Sequence, residues 1–261
     1  MLGDPVEQVQ APAMLNALFA ELELDAVLVP MRVRAHDLRD VVHGLQRMTN
    51  LDGLLITVPH KVSVVGLADA ASPAVDLSGS ANAMRRQADG RWYADNFDGA
   101  GFIAGLHAAG HSPKGKRVTL VGAGGAGSAI APALMEAGAD TLAVCELDPA
   151  KSATMLARLD AHWPGRVTVS TTPELATAEI VVNATPLGLR QDDPLPFDPS
   201  ALPDGALVAD IIMKPRETAL LRAAAALGHA VHYGAPMLES QVDLYRSFFR
   251  LDEAPRKGGQ S

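Results

Sequence analysis

An α/β fold is what this sequence predicts, and three observations predict it. Short apolar runs alternate with stretches of helical period over most of the 261 residues. A glycine-rich loop stands between one such run and a helix-period stretch. Hydrophobic residues make up 48% of the chain but aromatics only 4%, so alanine and aliphatic side chains must fill the core. Small side chains let helices lie close on a sheet, as α/β proteins require.

In chain order, 26–29 and 53–58 read as strands. Between them, 36–48 reads as a helix with Leu38, Val41, Val42 and Leu45 on one face. The run 117–121 is a strand ending at the glycine loop. Runs at 141–145, 167–170, 180–182, 206–212 and 230–233 continue the series, and helices fit 127–138, 149–160, 217–227 and 238–250. The polar turn 111–116 precedes the second series of strands, which puts a domain junction near 100–113. A return crossing is expected near Gly234-Ala235-Pro236. There is no internal repeat, and the tail 256–261 is expected to be disordered.

Charge and composition exclude several classes of function. The net charge is −8 and no Lys/Arg run or basic stripe is present, which argues against a nucleic-acid partner. The one cysteine, Cys145, has no partner for an internal disulfide, which fits a reducing cytoplasm. No apolar stretch of about 20 residues is free of charges and turn signals, so a membrane span is not expected, nor does the N-terminus read as a signal peptide. No His/Cys/Asp/Glu set has metal-ligand spacing, so no metal is expected. No G-x-S-x-G elbow points to a serine hydrolase.

The loop Gly122-Ala123-Gly124-Gly125-Ala126-Gly127 follows a strand and opens a helix, the context in which a G-x-G-x-x-G pattern is informative. Gly122 permits the tight turn, Gly124 lets a pyrophosphate approach the backbone, and Gly127 lets the helix pack close to the sheet. Free N–H groups at a positive helix end then attract the diphosphate. The plainer reading is a glycine-rich turn in an alanine-rich domain. Pro132 falls inside the following helix and is expected to kink it. The next strand leads into Glu146-Leu147-Asp148, and either Glu146 or Asp148 can bond the adenosine ribose hydroxyls. Neither has an adjacent arginine and both repel a 2′-phosphate, which favours NAD over NADP, although Lys151 is within reach of a phosphate. Asp148 is also well placed simply to cap the helix that starts near Pro149.

Two further segments hold polar residues where strands end, the usual position of sites in open α/β sheets. They are Thr57-Val58-Pro59-His60-Lys61 and Asn96-Phe97-Asp98-Gly99. Oxidising an alcohol by hydride transfer needs a group to take the hydroxyl proton, and a lysine oriented by an aspartate can do so. From spacing alone, a surface lysine and a turn aspartate are the simpler reading.

These segments resemble the motifs of the shikimate dehydrogenase family along almost the full chain. Gly3-Asp4-Pro5-Val6 with Ala11-Pro12 is similar to that family's opening motif. Thr57 to Lys61 resembles its catalytic-lysine motif. Ser80-Ala81-Asn82 and Asn96 to Gly99 resemble its substrate-asparagine and catalytic-aspartate motifs. Gly122 to Gly127 matches its nucleotide loop. Asn183-Ala184-Thr185-Pro186-Leu187-Gly188 and Gly234-Ala235-Pro236-Met237-Leu238-Glu239-Ser240-Gln241 match its later signatures.

The resemblance implies an N-terminal α/β substrate-binding domain, 1–100 with 234–261, and a Rossmann-type doubly wound NAD(P)-binding domain, 101–233. It implies Lys61 and Asp98 as the catalytic pair, and Thr57, Asn82 and Gln241 as groups that bond substrate hydroxyls. Cofactor contacts would come from Gly122 to Gly127, from Glu146 or Asp148, and from Asn183, Ala184, Thr185 and Pro186 passing near the nicotinamide. The implied cofactor is NAD or NADP and the substrate a small polyol or hydroxy acid such as shikimate or quinate, in a cytoplasmic protein that can form a homodimer.

The departures from the family cluster. Val9 and Ala11 stand where two serines would hold a substrate carboxylate, Leu55 where an asparagine is usual, Phe97 where a threonine precedes the aspartate, and Met213 where a tyrosine is expected. The chemistry reads as intact and the substrate as altered. His60 stands at a usually apolar or aromatic position, so packing is its expected role. Rival readings are a non-catalytic ligand sensor, against which the retention of both Lys61 and Asp98 argues, and another Rossmann enzyme with a distinct substrate.

Overall fold

A computed structural model describes residues 1–254; the tail at 256–261, for which disorder is expected, lies outside them. In chain order the elements begin with β1 (Leu2–Gly3), α1 (Ala11–Glu21), β2 (Met31–Arg32), α2 (Leu38–Gln46), β3 (Gly53–Leu55), β4 (Ala70–Ala71), α3 (Pro73–Ser78), β5 (Ala83–Arg86) and β6 (Trp92–Asp95). They continue with α4 (Asp98–Ala108), β7 (Arg117–Val121), α5 (Gly127–Glu136), β8 (Thr141–Cys145), α6 (Pro149–Asp160), β9 (Val167–Ser170) and β10 (Ile180–Asn183). The last are β11 (Leu207–Asp210), α7 (Ala219–Ala226), β12 (Ala230–His232), α8 (Ala235–Glu239) and α9 (Gln241–Phe248). The chain divides into two compact units, Met1–Phe97 together with the chain from Ser240, and Asp98–Glu239.

In the first unit a four-stranded sheet runs β3-β5-β6-β4, antiparallel except for the β4–β6 pair. A separate parallel pair, β1 and β2, aligns Leu2 with Met31, and Leu2 also bridges Ile56. Leu2, Val42, Leu54, Ile56, Val64, Met84 and Trp92 form the core here. The strand expected at 26–29 is not formed. Val27 and Val29 are 73% and 51% exposed. The Asn16 side chain takes both backbone groups of Leu28, and the ladder with β1 starts only at Met31. The run expected at 53–58 pairs as a strand only through Leu55, beyond which Ile56 makes a single bridge.

The second unit holds a six-stranded parallel sheet in the order β12-β11-β10-β7-β8-β9. The chain enters at β7, winds outward through β8 and β9, and returns to β10 on the other side of β7. That is the doubly wound order, with its switch point between β7 and β10. Successive residues of one strand face opposite sides. Accordingly Ile180 and Val182 join the cluster of Leu120, Ile130, Leu134 and Leu142, while Val181 joins Val208, Leu220 and Leu221. A sheet covered on both faces favours apolar side chains on both sides of its inner strands, and Ile180-Val181-Val182 and Leu207-Val208-Ala209 are continuous apolar runs of this kind.

Helix α5 continues past Pro132 to Glu136, so the proline does not end it. The helix expected at 238–250 is two helices, α8 and α9, broken at Ser240. Helices α1, α3 and α4 and the short strands β4, β5 and β6 lie where periodicity marks nothing. Helix α4 buries Gly99, Gly101, Phe102, Gly105 and Leu106 and carries apolar or small residues nearly all round, so it shows no two-faced pattern.

Candidate active site

Backbone hydrogen bonds gather the motifs of the first unit at one edge of its four-stranded sheet. Ile56 N–H donates to Asn82 O at 2.8 Å, Ala81 N–H to Lys61 O at 2.8 Å, and Asn82 N–H to Asp95 O at 3.0 Å. The end of β3, the start of β5 and the end of β6 therefore meet. Asn96 is pinned there as well, its Nδ2 donating to Ser80 O at 2.9 Å and to Ser80 Oγ at 2.8 Å. His60 is buried, with Nε2 2.7 Å from Val33 O, so the ring joins the loop at 57–61 to the chain after β2.

Lys61, Asn82 and Gln241 are 9%, 2% and 1% exposed, and Thr57 is half-buried. The fold thus brings together Thr57, Lys61, Asn82 and Gln241, the last from the distant helix α9. Asn82 Nδ2 donates to Gln241 Oε1 at 3.3 Å. Asp98, 3% exposed, is the first residue of α4 and of the second unit, where the helix dipole favours a carboxylate. Phe97, its neighbour in the chain, packs edge-on against Tyr245 and Phe248, with ring centroids 5.5 and 5.2 Å away. An aromatic residue at position 97 is thereby matched by two others on α9.

In the second unit the glycine loop lies at the switch point. Gly122 has φ +98°, a conformation that favours glycine. A Cβ on Gly127 would fall 2.1 Å from Gly122 O, whereas a Cβ on Gly124 would meet nothing within 4 Å. The loop is closed where the helix must approach and open where a diphosphate would lie, so it fits a dinucleotide. Glu146 Oε2 accepts from Ala123 N–H at 2.8 Å and Oε1 from Asp148 N–H at 3.0 Å, so Glu146 sits against the loop. Asp148 instead caps α6, accepting from Ala150 and Lys151 N–H. Of the two candidate acids, the one beside the glycine loop is Glu146.

Asn183, fully buried, ends β10 beside the loop. Its Oδ1 accepts from Thr185 N–H at 3.1 Å and Thr185 Oγ1 at 2.7 Å, and its Nδ2 donates to Leu187 O at 3.1 Å. Ala184 N–H donates to Val121 O, which ties Asn183, Ala184, Thr185 and Pro186 to the end of β7. Asp210, opposite Asn183 in register, is fully buried, and burial pushes its carboxyl above the usual range. Bonds from Ile212 N–H, Thr218 Oγ1 and the Asn183 amide oppose that shift. Sequence reasoning includes Asp210 only within the strand at 206–212; its signal is an acid at the end of an otherwise apolar parallel strand. Tyr245 is missed entirely, although it lies four residues after Gln241 on the same helix face.

Among the described residues, no group of three or more His, Cys, Asp or Glu is placed to hold a metal, and no helix is long and apolar enough to cross a membrane.

A family model described as the shikimate dehydrogenase substrate binding domain matches residues 1–84. A shikimate dehydrogenase (NADP(+)) of Rubrobacter xylanophilus is 38% identical over 258 residues, covering 97% of this chain and 90% of its own length. Among solved structures, the ligand-free 5-ketofructose reductase of a Gluconobacter strain matches with TM-score 0.82 and 30% identity, over 95% of this chain and 90% of its own. Shikimate 5-dehydrogenase of Listeria monocytogenes, in complex with shikimate and NAD, matches with TM-score 0.82 and 28% identity, over 96% and 89%.

Proposed function

The chain belongs to the shikimate dehydrogenase family, and from that premise we propose that it is an NAD(P)-dependent oxidoreductase that interconverts an alcohol and a ketone on a small hydroxylated ring such as shikimate, quinate or an analogue. The observation that carries this reading is the gathering of buried Lys61, Asn82 and Gln241 at one edge of the first unit's sheet. A ligand sensor has no need of a proton-transfer pair, and nothing observed favours that alternative.

When bound, the nicotinamide accepts or supplies the hydride. In the oxidation, Lys61 Nζ takes the hydroxyl proton as the C–H bond gives up its hydride and the carbonyl forms; in the reduction the same proton returns to the oxygen. Asp98 is the second residue of the proposed proton-transfer pair. Thr57, Asn82 and Gln241 bond the other hydroxyls and hold the ring in register. The first unit serves as the substrate domain and the second as the dinucleotide domain, whose loop Gly122 to Gly127 holds the diphosphate. Asn183, Ala184, Thr185 and Pro186 line the nicotinamide end.

NAD is the preferred cofactor in this proposal, although the Rubrobacter relative is named for NADP(+). Glu146 lies against the loop where a 2′-phosphate would meet its charge, Leu147 offers no cation, and the Lys151 ammonium is 3.9 Å from Asp148.

The preferred substrate lacks a carboxylate or carries it elsewhere. Val9 and Ala11 offer no side-chain donor, which leaves the neighbouring amides of Gln8 and Gln10 as the groups that could replace them, and one proton of the Gln8 amide is already donated to Pro5 O at 3.4 Å. The relative named 5-ketofructose reductase has a keto sugar in its name, a substrate class without a carboxylate. A cytoplasmic location and a homodimer complete the proposal.

The test is a panel of shikimate, quinate, 5-ketofructose and related polyols with both cofactors, read by absorbance of the reduced nicotinamide. Lys61→Ala is expected to lower kcat by roughly 10²–10⁴-fold with cofactor affinity nearly unchanged. Retention of more than about a third of wild-type kcat on the best substrate removes Lys61 from the mechanism.

A further inference from the structure

The turn that follows β10 is shaped around one amide, and a carboxylate on the next strand sets the direction of that amide. Thr185 N–H and Oγ1 both donate to Asn183 Oδ1, at 3.1 and 2.7 Å. A backbone N–H only donates, so this end of the amide is the oxygen and the other is Nδ2. Nδ2 donates to Leu187 O at 3.1 Å and bonds the carboxylate of Asp210, its partner in register on β11. Leu187 N–H closes the turn on Thr185 Oγ1 at 3.1 Å. Asp210 is fixed in its own right. Ile212 N–H donates to Oδ1 at 3.0 Å and Thr218 Oγ1 to Oδ2 at 2.8 Å. The Thr218 hydroxyl accepts from Leu221 N–H at 3.3 Å, so its proton is the one given to Asp210. The far end of the turn rests on the same frame: a Cβ on Gly188 would stand 3.3 Å from Ile212 Cδ1 and 3.4 Å from Thr218 Cβ.

We propose that Asp210 is a positioning residue for the nicotinamide: through the Asn183 amide it holds the turn 183–188 in the one shape that receives the ring. The inference rests on the reading that Asn183, Ala184, Thr185 and Pro186 line the nicotinamide end. Stability alone is a poor account of this arrangement. Asn183, Asp210 and Thr218 are all fully buried, and burying a carboxylate is costly even with its donors in place. Apolar residues of matching shape at such positions are often as stable. What they cannot do is give the amide of residue 183 a direction, and that direction decides whether Thr185 and Leu187 fold back onto it. In the same reading the diphosphate and the adenosine ribose are held elsewhere, by Gly122 to Gly127 and Glu146. Asp210 therefore acts on one end of the cofactor, which separates positioning from a general structural role.

The test uses the full-length protein and two ligands, NADH and ADP-ribose, the second of which keeps the diphosphate and lacks the nicotinamide. Their 2′-phosphates replace them if NADPH binds more tightly. Asp210→Asn keeps the shape of the side chain but leaves one acceptor oxygen for the Ile212, Thr218 and Asn183 donors. It is expected to raise Kd for NADH about three- to tenfold and to lower kcat about tenfold or more, with Kd for ADP-ribose within about twofold of wild type. Thr218→Val removes the donor to Oδ2 and keeps the branched shape; it is expected to move the same quantities in the same direction, and it decides the matter if Asp210→Asn does not fold. Thr218→Ser keeps the hydroxyl and is expected to leave both affinities within about twofold of wild type. Equal losses of NADH and ADP-ribose affinity mean a general structural role and overturn the inference. Thr185→Ala, within the turn itself, separates the inference from the reading beneath it. If Thr185→Ala weakens NADH and Asp210→Asn does not, the inference alone fails. If neither changes NADH affinity or kcat, the reading that this turn lines the nicotinamide fails and the inference falls with it.

Discussion

Replacing Gly124 and Gly127 separately by alanine distinguishes a cofactor cradle from an ordinary tight turn. At Gly127 the new methyl would sit 2.1 Å from Gly122 O, against the 3.4 Å where ordinary contact begins, and 3.2 Å from Ala184 Cβ. Both neighbours are fixed by their own hydrogen bonds, Gly122 N–H to Cys145 O and Ala184 N–H to Val121 O, so the helix or the loop must move. Overpacking of this kind costs about 1–3 kcal/mol, which for a chain of this size lowers Tm by roughly 2–12 °C. At Gly124 the methyl meets nothing within 4 Å and the residue is not in the positive-φ region. Alanine there leaves the free protein as stable as wild type or about 0.4–1 kcal/mol more so, through a less flexible unfolded chain. In the proposed cofactor-binding mode the same methyl would stand where a phosphate oxygen approaches the backbone. Losing one hydrogen bond to a charged group costs about 1.5–3 kcal/mol, or roughly a 10- to 150-fold rise in Kd. Thermal melts by circular dichroism and titration with NADH and NADPH measure the two effects. The expected pattern is weakened binding without destabilisation for Gly124→Ala, and both losses together for Gly127→Ala. A Gly124→Ala protein that binds both cofactors like wild type would refute the reasoning and reduce the loop to a turn.

Three other substitutions test separate parts of the account. Glu146→Ser is expected to weaken NADH binding about tenfold and to improve NADPH, narrowing the preference; tighter NADPH binding in the wild type contradicts the assignment. Val9→Ser with Ala11→Ser is expected to lower KM for shikimate by roughly 10²-fold or more, with kcat little changed because the new contacts lie away from the reacting hydroxyl. A wild type with micromolar KM and fast turnover on shikimate sinks that argument. His232, 3% exposed, packs against Phe102 and His111 with no hydrogen-bond partner at Nε2. Burial, and next the neighbouring His111, hold its pKa below the usual 6.5. The unfolded chain takes up this proton at higher pH than the folded one, so the contribution is present above about pH 6.5 and is lost as pH falls below it. His232→Leu is expected to flatten the fall in Tm between pH 7.5 and 5.5, and an unchanged slope assigns the acid sensitivity to other groups.

What was legible locally and what was not divides along physical lines. The strands at 117–121, 141–145 and 167–170 were readable to the residue, because each is a short segment rich in apolar and β-branched residues between turn signals. The glycine loop was readable because its requirement is steric and local. In the first unit the pairing elements are two to four residues long, too short for a period to show. There the apolar run at 26–29 even misleads, since Asn16 rather than a strand takes its backbone.

The sequence determined the strand series of the second unit and the position of its glycine loop, and through the family resemblance it supplied the candidate pair Lys61 and Asp98 together with the departures around them. Tertiary structure alone decided that Asp148 is occupied in capping while Glu146 faces the loop, that Asp210 braces Asn183, and that Tyr245 bonds Gln241. The reason is the range over which each property is set. Apolar period and turn chemistry are written in neighbouring residues. Which acceptor a buried side chain meets depends on where the chain returns, and Gln241 meets Asn82 across 159 positions of sequence that no local pattern spans.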